Sequence, residues 1–355
     1  ELVFPPLIEY LESLLTGSGN DLGLQTFKLI DQLSGRMMGV RADITPQVAR
    51  IEAHRLKRDE PVRLCYMGTV LHTVSDGFAG SRSPMQLGAE LYGHAGIEAD
   101  VEVLCLMLEM LELAGLRNLH LDIGHVGVYR GLARSAGMTP VQEGEFFELL
   151  QRKARPEIEE YLAALDVSSE MRAMLAALAT LNGGAEVLDT AAEVLRTAGS
   201  EVLDALSNLR QVADLTALRL PDTPLYYDLA ELRGYHYKTG VVFAAFVTGC
   251  GQEVARGGRY DDIGAVFGRA RPATGFSADA KLLMKLGSDQ ANHRVSGIFA
   301  PAEADPALLQ RISELRRQGE RVVQALPGQR GNALSMRCDR RLQRTEAGWQ
   351  VEPLV

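Results

Sequence analysis

Positive charge is in short supply: 37 Lys and Arg stand against 46 Asp and Glu, a formal net charge of -9. A nucleic-acid binder ordinarily shows a basic face, so the bulk balance speaks against one. Cysteine is scarce too. Cys65, Cys105, Cys250 and Cys338 are scattered and form no CxxC pair. Cys65 and Cys105 sit in apolar runs, where a thiol behaves as a small hydrophobe. Neither a disulfide framework nor a zinc site is expected, and the cytoplasm is the expected compartment. Long hydrophobic runs are also missing. The most apolar stretch, 101–116, is interrupted by Glu102, Glu109 and Glu112, whereas a membrane span needs roughly 20 nearly uncharged residues. It reads as a buried helix. Nothing in the residues present looks like a targeting signal.

Common catalytic motifs are absent as well. There is no GxxxxGK(S/T) phosphate loop and no HExxH. The glycines at Gly17 and Gly19 lack the third glycine and the strand-then-helix setting of a dinucleotide fingerprint. His120 and His125 are spaced wrongly for one helix face, and Gly124–Gly127 reads as a turn. No catalytic residue, cofactor or metal is expected.

What is present is 355 residues, 46% of them apolar, enough for one large domain or a large one plus a small one. Leu2 and Val3 suggest a short strand, and Pro5-Pro6 precede a helix with apolar positions at Leu7, Leu11, Leu14 and Leu15. Residues 26–40 suggest a hairpin turning at Gly35, and 62–70 and 85–92 two further strands. A helix over 100–114 is capped by Gly115, and 119–123 alternates as a strand. Residues 139–218 are rich in Ala, Leu and Glu with helical spacing, a helical insertion broken near Pro156, 182–184 and Gly199. Strand character returns at 225–229 and 240–247. A glycine-rich segment over 249–263 follows, then a helix over 277–286. The end suggests a strand over 295–299, a helix over 305–318, a strand over 321–325 and a hairpin turning at Ala347-Gly348. The expected division is a domain over 1–286 and a small α/β unit over 293–355. Such an order, without regular β-then-α repetition, argues for an α+β fold with an antiparallel sheet.

Four segments carry unusual polar groups at strand ends or beside glycines, where a ligand can approach the backbone. They are RADITPQVAR (41–50), QLGAELYG (86–93), LRGYHYKTGVVF (232–243), and GGRYDDI (257–263) with PATGF (272–276). Taken singly, Gln86 and Glu90 fit a solvated strand face and Tyr237 a half-buried sheet residue. Jointly, they favour a pocket.

These segments resemble the catalytic domain of histidyl-tRNA synthetase, a class II aminoacyl-tRNA synthetase. QLGAELYG is similar to its Gln-x-Gly-x-Glu strand and RGYHYKTGVVF to its Arg-Gly-Leu-Asp-Tyr-Tyr signature. RADIT stands for its Arg-Pro-Glu-Gly-Thr, and GGRYDDI for its Gly-Gly-Arg-Tyr-Asp. The resemblance covers about residues 2–286, including the insertion. It implies a class II synthetase-like fold and a histidine pocket in which Asp43, helped by Thr45 and Gln86, meets the ammonium group. Arg233 then holds the carboxylate, and Glu90 and Tyr237 face the imidazole. The chemistry suits a zwitterion, and a carboxylate opposite imidazole makes a charge-assisted contact. One departure stands out: His236-Tyr237-Lys238 replaces Asp-Tyr-Tyr, so a second tyrosine expected at the ring is lost.

Adenylation needs cations on the ATP phosphates, and the resemblance locates where they should be. The family's Phe-Arg-His-Glu falls on Leu71-His72-Thr73-Val74, so the first arginine has become His72. Its Gly-Phe-Ala-x-Gly-x-Glu-Arg-Leu falls on GFSADAKLL, with Asp279, Lys281 and Leu282 for glycine, glutamate and the second arginine. Losing one such contact commonly costs about 10²–10³ in rate. Arg82 reads as a solvent-facing loop charge rather than a substitute. After Leu286 the tail is too short for a full anticodon-binding domain.

A synthetase-like domain that keeps the amino-acid walls without the phosphate clamps resembles the regulatory subunits of ATP phosphoribosyltransferase, the first enzyme of histidine biosynthesis. That resemblance implies a non-catalytic chain that assembles with the short catalytic subunit, supports its reaction and transmits feedback inhibition by L-histidine. It implies a homodimer within a hetero-oligomer, with no tRNA and no membrane as partner. Two other readings stay open, a scaffold with a vestigial pocket and an active histidyl-tRNA synthetase.

Overall fold

The computed structural model describes residues 1–15, 20–74, 81–231, 235, 237–287 and 297–354, with only the backbone at 20 and 21. Two compact units divide the chain, Glu1–Gly287 and Ser288–Val355.

The first unit opens with β1 (Leu2–Val3), β2 (Ile8–Tyr10), α1 (Leu11–Leu15) and α2 (Asn20–Gln25). A hairpin of β3 (Phe27–Ile30) and β4 (Met37–Val40) follows, then α3 (Thr45–Ile51), β5 (Val62–Thr69) and β6 (Met85–Tyr92). Helix α4 (Ile97–Leu113) leads to β7 (Leu119–His125) and α5 (Val126–Ser135). The insertion holds α6 (Pro140–Gln151), α7 (Arg155–Ala164), α8 (Ser169–Ala177), the two-residue β8 (Asn182–Gly183), α9 (Glu186–Val194) and α10 (Ser200–Arg219). Then come β9 (Leu225–Asp228), β10 (Val241–Val247), β11 (Ala255–Arg259), β12 (Ala273–Asp279) and α11 (Ala280–Gly287).

Nine strands form one sheet in the order β1-β5-β6-β12-β11-β10-β7-β9-β8. The expected antiparallel character holds over its centre. Two parallel pairs, β1 with β5 and β7 with β9, modify it toward the edges. Strand β10 is buried from Val241 to Ala245, as a central strand covered on both sides must be. One face packs under α4, whose Val101, Leu104 and Leu111 are fully buried with Leu121 and Ile123 of β7. Each such side chain contributes about 1.5–3 kcal/mol by leaving water. Gly115 (φ 89°) ends α4 in the left-handed conformation, and Leu116 N–H donates to the Leu111 carbonyl at 3.1 Å.

Several local expectations give way to tertiary context. Residues 8–10 are a strand, not the start of a helix: β2 pairs with β4 through Ile8 and Val40, and the helix waits until Leu11. The preceding Pro5-Pro6 favours extended chain. Residues 277–279 continue β12 rather than opening a helix, because β6 pairs with all three and β11 with Ser277 and Ala278. Gly124–Gly127 is not a free turn. Strand β7 runs through His125, whose Nδ1 accepts Gly127 N–H at 3.0 Å to cap α5. The glycine-rich segment supplies β11.

The second unit pairs β13 (Ile298–Ala300), β14 (Val322–Gln324), β15 (Arg340–Thr345) and β16 (Gly348–Pro353) in the order β14-β13-β15-β16. Helix α12 (Pro306–Arg317) covers it, burying Leu308, Ile312 and Leu315 against Ile298, Leu342 and Trp349. Asp305 caps that helix at Ala307 N–H (2.9 Å) and also accepts Trp349 Nε1–H at 2.7 Å. The expected strand over 295–299 begins outside the described residues.

Candidate functional site

The remaining face of the large sheet floors a cavity of about 600 Å³, within the size range of small-molecule sites. Period-2 alternation puts Gln86, Gly88 and Glu90 of β6 on that face. Their cross-strand partners are Gly68, Tyr66 and Leu64 of β5 on one side and Asp279, Ser277 and Gly275 of β12 on the other. Two glycines make room for chemistry. A Cβ at Gly275 would stand 1.5 Å from Glu90 Oε2, and one at Gly88 would stand 2.4 Å from the Tyr66 hydroxyl.

Asp43, Thr45, Gln86, Glu90 and Tyr237 all line this one cavity. Arg233, expected beside them, lies outside the described residues. Gln86 Nε2 donates to Asp43 Oδ1 at 2.7 Å, while Gln86 Oε1 accepts Ile44 N–H at 2.9 Å. Thr45 N–H also donates to Asp43 Oδ1, at 3.0 Å. Pro46 follows at the start of α3, a position where its missing N–H costs nothing. Asp43 is therefore oriented by both neighbours, with Oδ1 satisfied by the protein.

Glu90 is 2% exposed and held by hydroxyls. Tyr66 OH and Thr45 Oγ1 donate to Oε1 at 3.0 and 3.2 Å, and Tyr260 OH donates to Oε2. Burial pushes its carboxyl up to about 7, opposed by the Tyr260 hydrogen bond and the Lys238 charge. Lys238, also buried, donates from Nζ to the Gly258 carbonyl at 3.1 Å. Loss of solvent pulls its ammonium down to about 8, with Glu90 acting in the opposite direction. Tyr66, Tyr260 and Lys238 are site residues that sequence reasoning did not assign. Tyr260 stood inside the GGRYDDI segment, whereas Lys238 registered only as the loss of a tyrosine.

At the positions that the resemblance assigns to the phosphate clamps, contacts within the chain stand instead. His72 Nε2 lies 2.9 Å from the Ala42 carbonyl, and Arg82 Nε–H donates to the His72 carbonyl at 3.1 Å. Arg82 is exposed in a loop, as expected, with its guanidinium 5.3 Å from the Phe27 ring centroid. Asp279 Oδ1 accepts Met85 N–H (2.9 Å) and Lys281 N–H (3.0 Å), and Lys281 Nζ donates to the Ser83 carbonyl. Leu282 lines the cavity as an apolar wall.

Among the described residues no helix is long and apolar enough to cross a membrane, and no group of three or more His, Cys, Asp or Glu is placed to hold a metal ion.

Comparison with known proteins agrees with this architecture. A family model described as histidyl-tRNA synthetase matches residues 1–283, and one described as the ATP phosphoribosyltransferase subunit HisZ C-terminal domain matches 295–352. The chain is 60% identical to the ATP phosphoribosyltransferase regulatory subunit of Thioalkalivibrio sulfidiphilus, over all of this chain and 90% of that protein. It is 59% identical to the regulatory subunit of Stutzerimonas stutzeri, again over 100% of this chain and 90% of the relative. Among solved structures, an ATP phosphoribosyltransferase regulatory subunit/histidyl-tRNA synthetase from Bacillus halodurans superposes with a TM-score of 0.82 at 27% identity, covering 95% of this chain and 86% of that one. With the synthetase-like fold in one unit and the subunit-specific tail in the other, the chain belongs to the family of ATP phosphoribosyltransferase regulatory subunits.

Proposed function

We propose that the cavity binds free L-histidine and that the chain uses this binding to regulate a short ATP phosphoribosyltransferase catalytic subunit. Asp43, supported by Thr45 and Gln86, takes the ammonium group, Arg233 the carboxylate, and Glu90 with Tyr237 the imidazole. The observation that carries the reading is a contrast among the side chains about one cavity. Asp43 and Glu90 are held in place by hydrogen bonds. His72 and Asp279 contact backbone groups, as does Lys281 nearby, and Leu282 offers no charge. Asp43 and Glu90 can grip an amino acid, whereas neither His72 nor Leu282, which stand where the resemblance places the phosphate-binding arginines, is an arginine.

In this reading the chain has no aminoacylation activity of its own. It works in the cytoplasm as a homodimer within a hetero-oligomer and takes neither tRNA nor membrane as partner; the net charge of -9 supports the first exclusion. Its working division is the synthetase-like domain over 1–286 with the insertion over 139–218, and the small domain over 293–355. Histidine can inhibit only by binding two assembly states unequally, with couplings typically of about 1–3 kcal/mol. The test is reconstitution with the short catalytic subunit. The two chains should co-purify, the phosphoribosyl transfer rate should rise when this chain is added, and histidine should lower it. A rate indifferent to both additions contradicts the proposal.

A further inference from the structure

Lys238 is the least economical residue of the site. It is 6% exposed, and a buried ammonium is costly unless it is paired or hydrogen-bonded. Of its three N–H donors, one is used among the described residues, toward the Gly258 carbonyl. No carboxylate is within ion-pair distance of it among those residues. The ammonium lies 4.8 Å from the Tyr260 ring centroid and 5.3 Å from that of Tyr237, and all three side chains line the cavity. Tyr260 links the two charged groups, with the ammonium beside its ring and the Glu90 carboxylate at its hydroxyl. The cavity therefore presents a group that can only donate and, when ionised, one that can only accept.

Neutral imidazole carries one N–H and one bare nitrogen on the same ring, which is the complement of that pair. We propose that Lys238 is the specificity-determining donor of the site: it gives an N–H to the bare ring nitrogen while Glu90 accepts the N–H of the other. This rests on the reading that the cavity holds histidine, and it adds which ring chemistry is selected. An azole with both functions is accepted. Rings that lack the bare nitrogen leave a buried ammonium unsatisfied and are rejected. If Lys238 served only to neutralise Glu90, its removal would weaken every ligand alike.

The test is a ligand–variant cycle by calorimetry on the full chain. The ligands are L-histidine, the pyrrol-2-yl and pyrrol-3-yl alanines (ring N–H, no bare nitrogen), and thiazol-4-yl alanine (bare nitrogen, no ring N–H). Wild type should bind histidine at least about 10-fold more tightly than either pyrrolylalanine, the scale of a hydrogen bond to a charged group. In Lys238→Met that ratio should collapse to within about threefold, while discrimination against thiazolylalanine, owed to Glu90, persists. Lys238→Gln, which keeps a neutral donor, should fall between. Wild type that binds the pyrrolylalanines as tightly as histidine overturns the proposal without any variant. So does a ratio unchanged in both variants, and either result leaves histidine binding itself intact. Wild type that binds no histidine overturns this inference together with the reading beneath it.

Discussion

Arg259 of β11 reaches Asp100 in the first turn of α4, with Nε 3.1 and 3.0 Å from the two carboxylate oxygens and Nη2 2.9 Å from Oδ2. The same guanidinium donates to the His94 and Gly96 carbonyls at 3.3 and 3.1 Å, so one side chain closes the loop that enters the helix. Both partners are buried, at 7% and 1% exposure. Removing one partner of such a pair strands the other. Arg259→Met should destabilise the chain by about 3–5 kcal/mol in urea denaturation, far more than exposed Arg63→Met, which loses only an exposed pair with Glu102.

Gly88 has no room for a side chain. A Cβ there would meet the Tyr66 hydroxyl at 2.4 Å and the Phe276 carbonyl oxygen at 2.5 Å. The backbone carbonyl, paired within the sheet, cannot yield easily. Gly88→Ala should cost about 1–3 kcal/mol of stability. By pushing Tyr66 from Glu90 it should also weaken histidine binding by about 10-fold or more. Denaturation and calorimetry on the same preparation check both.

Glu90 should leave a signature in the pH dependence of stability. Its folded carboxyl sits at about 7 against an ordinary 4.5. Between those values the folded state holds a proton that the unfolded chain has released, so stability falls as pH rises through the window. Glu90→Gln removes that contribution. Lys238, without the nearby Glu90 charge that holds its pKa up, then sheds its proton earlier, which acts in the same direction. Other groups titrate in both proteins and cancel. The loss of melting temperature from pH 5 to pH 7.5 should be smaller in Glu90→Gln than in wild type by roughly 2–6 °C; parallel curves contradict it.

The second unit carries its own reporter. Trp349, the chain's one tryptophan, donates to the carboxylate that caps α12. Asp305→Ala removes a cap and an indole partner together, which destabilises this unit. The tryptophan fluorescence transition should move to lower denaturant than in wild type.

Much of the site was legible because its residues cluster in short segments at strand ends: Asp43 and Thr45 are two apart, Gln86 and Glu90 share one face of β6. The insertion was legible for a related reason, since helical periodicity is local. What escaped depends on register between distant strands. Nothing near Tyr66 or Tyr260 says that both hydroxyls meet Glu90, which are contacts across 24 and 170 residues of chain. Residues 277–279 escape for the same reason, because pairing with β6, and of 277–278 with β11, outweighs a short apolar pattern. At Lys238 the sequence could show what had been lost but not what the ammonium does in its place.

Calorimetric titration of the chain with L-histidine shows whether it holds an amino-acid site without nucleotide chemistry. One histidine per chain is expected, weakened at least about 10-fold in Asp43→Ala, with no histidine-dependent exchange between ATP and pyrophosphate in the same preparation. A flat titration of folded wild type, or exchange that histidine switches on, would contradict it.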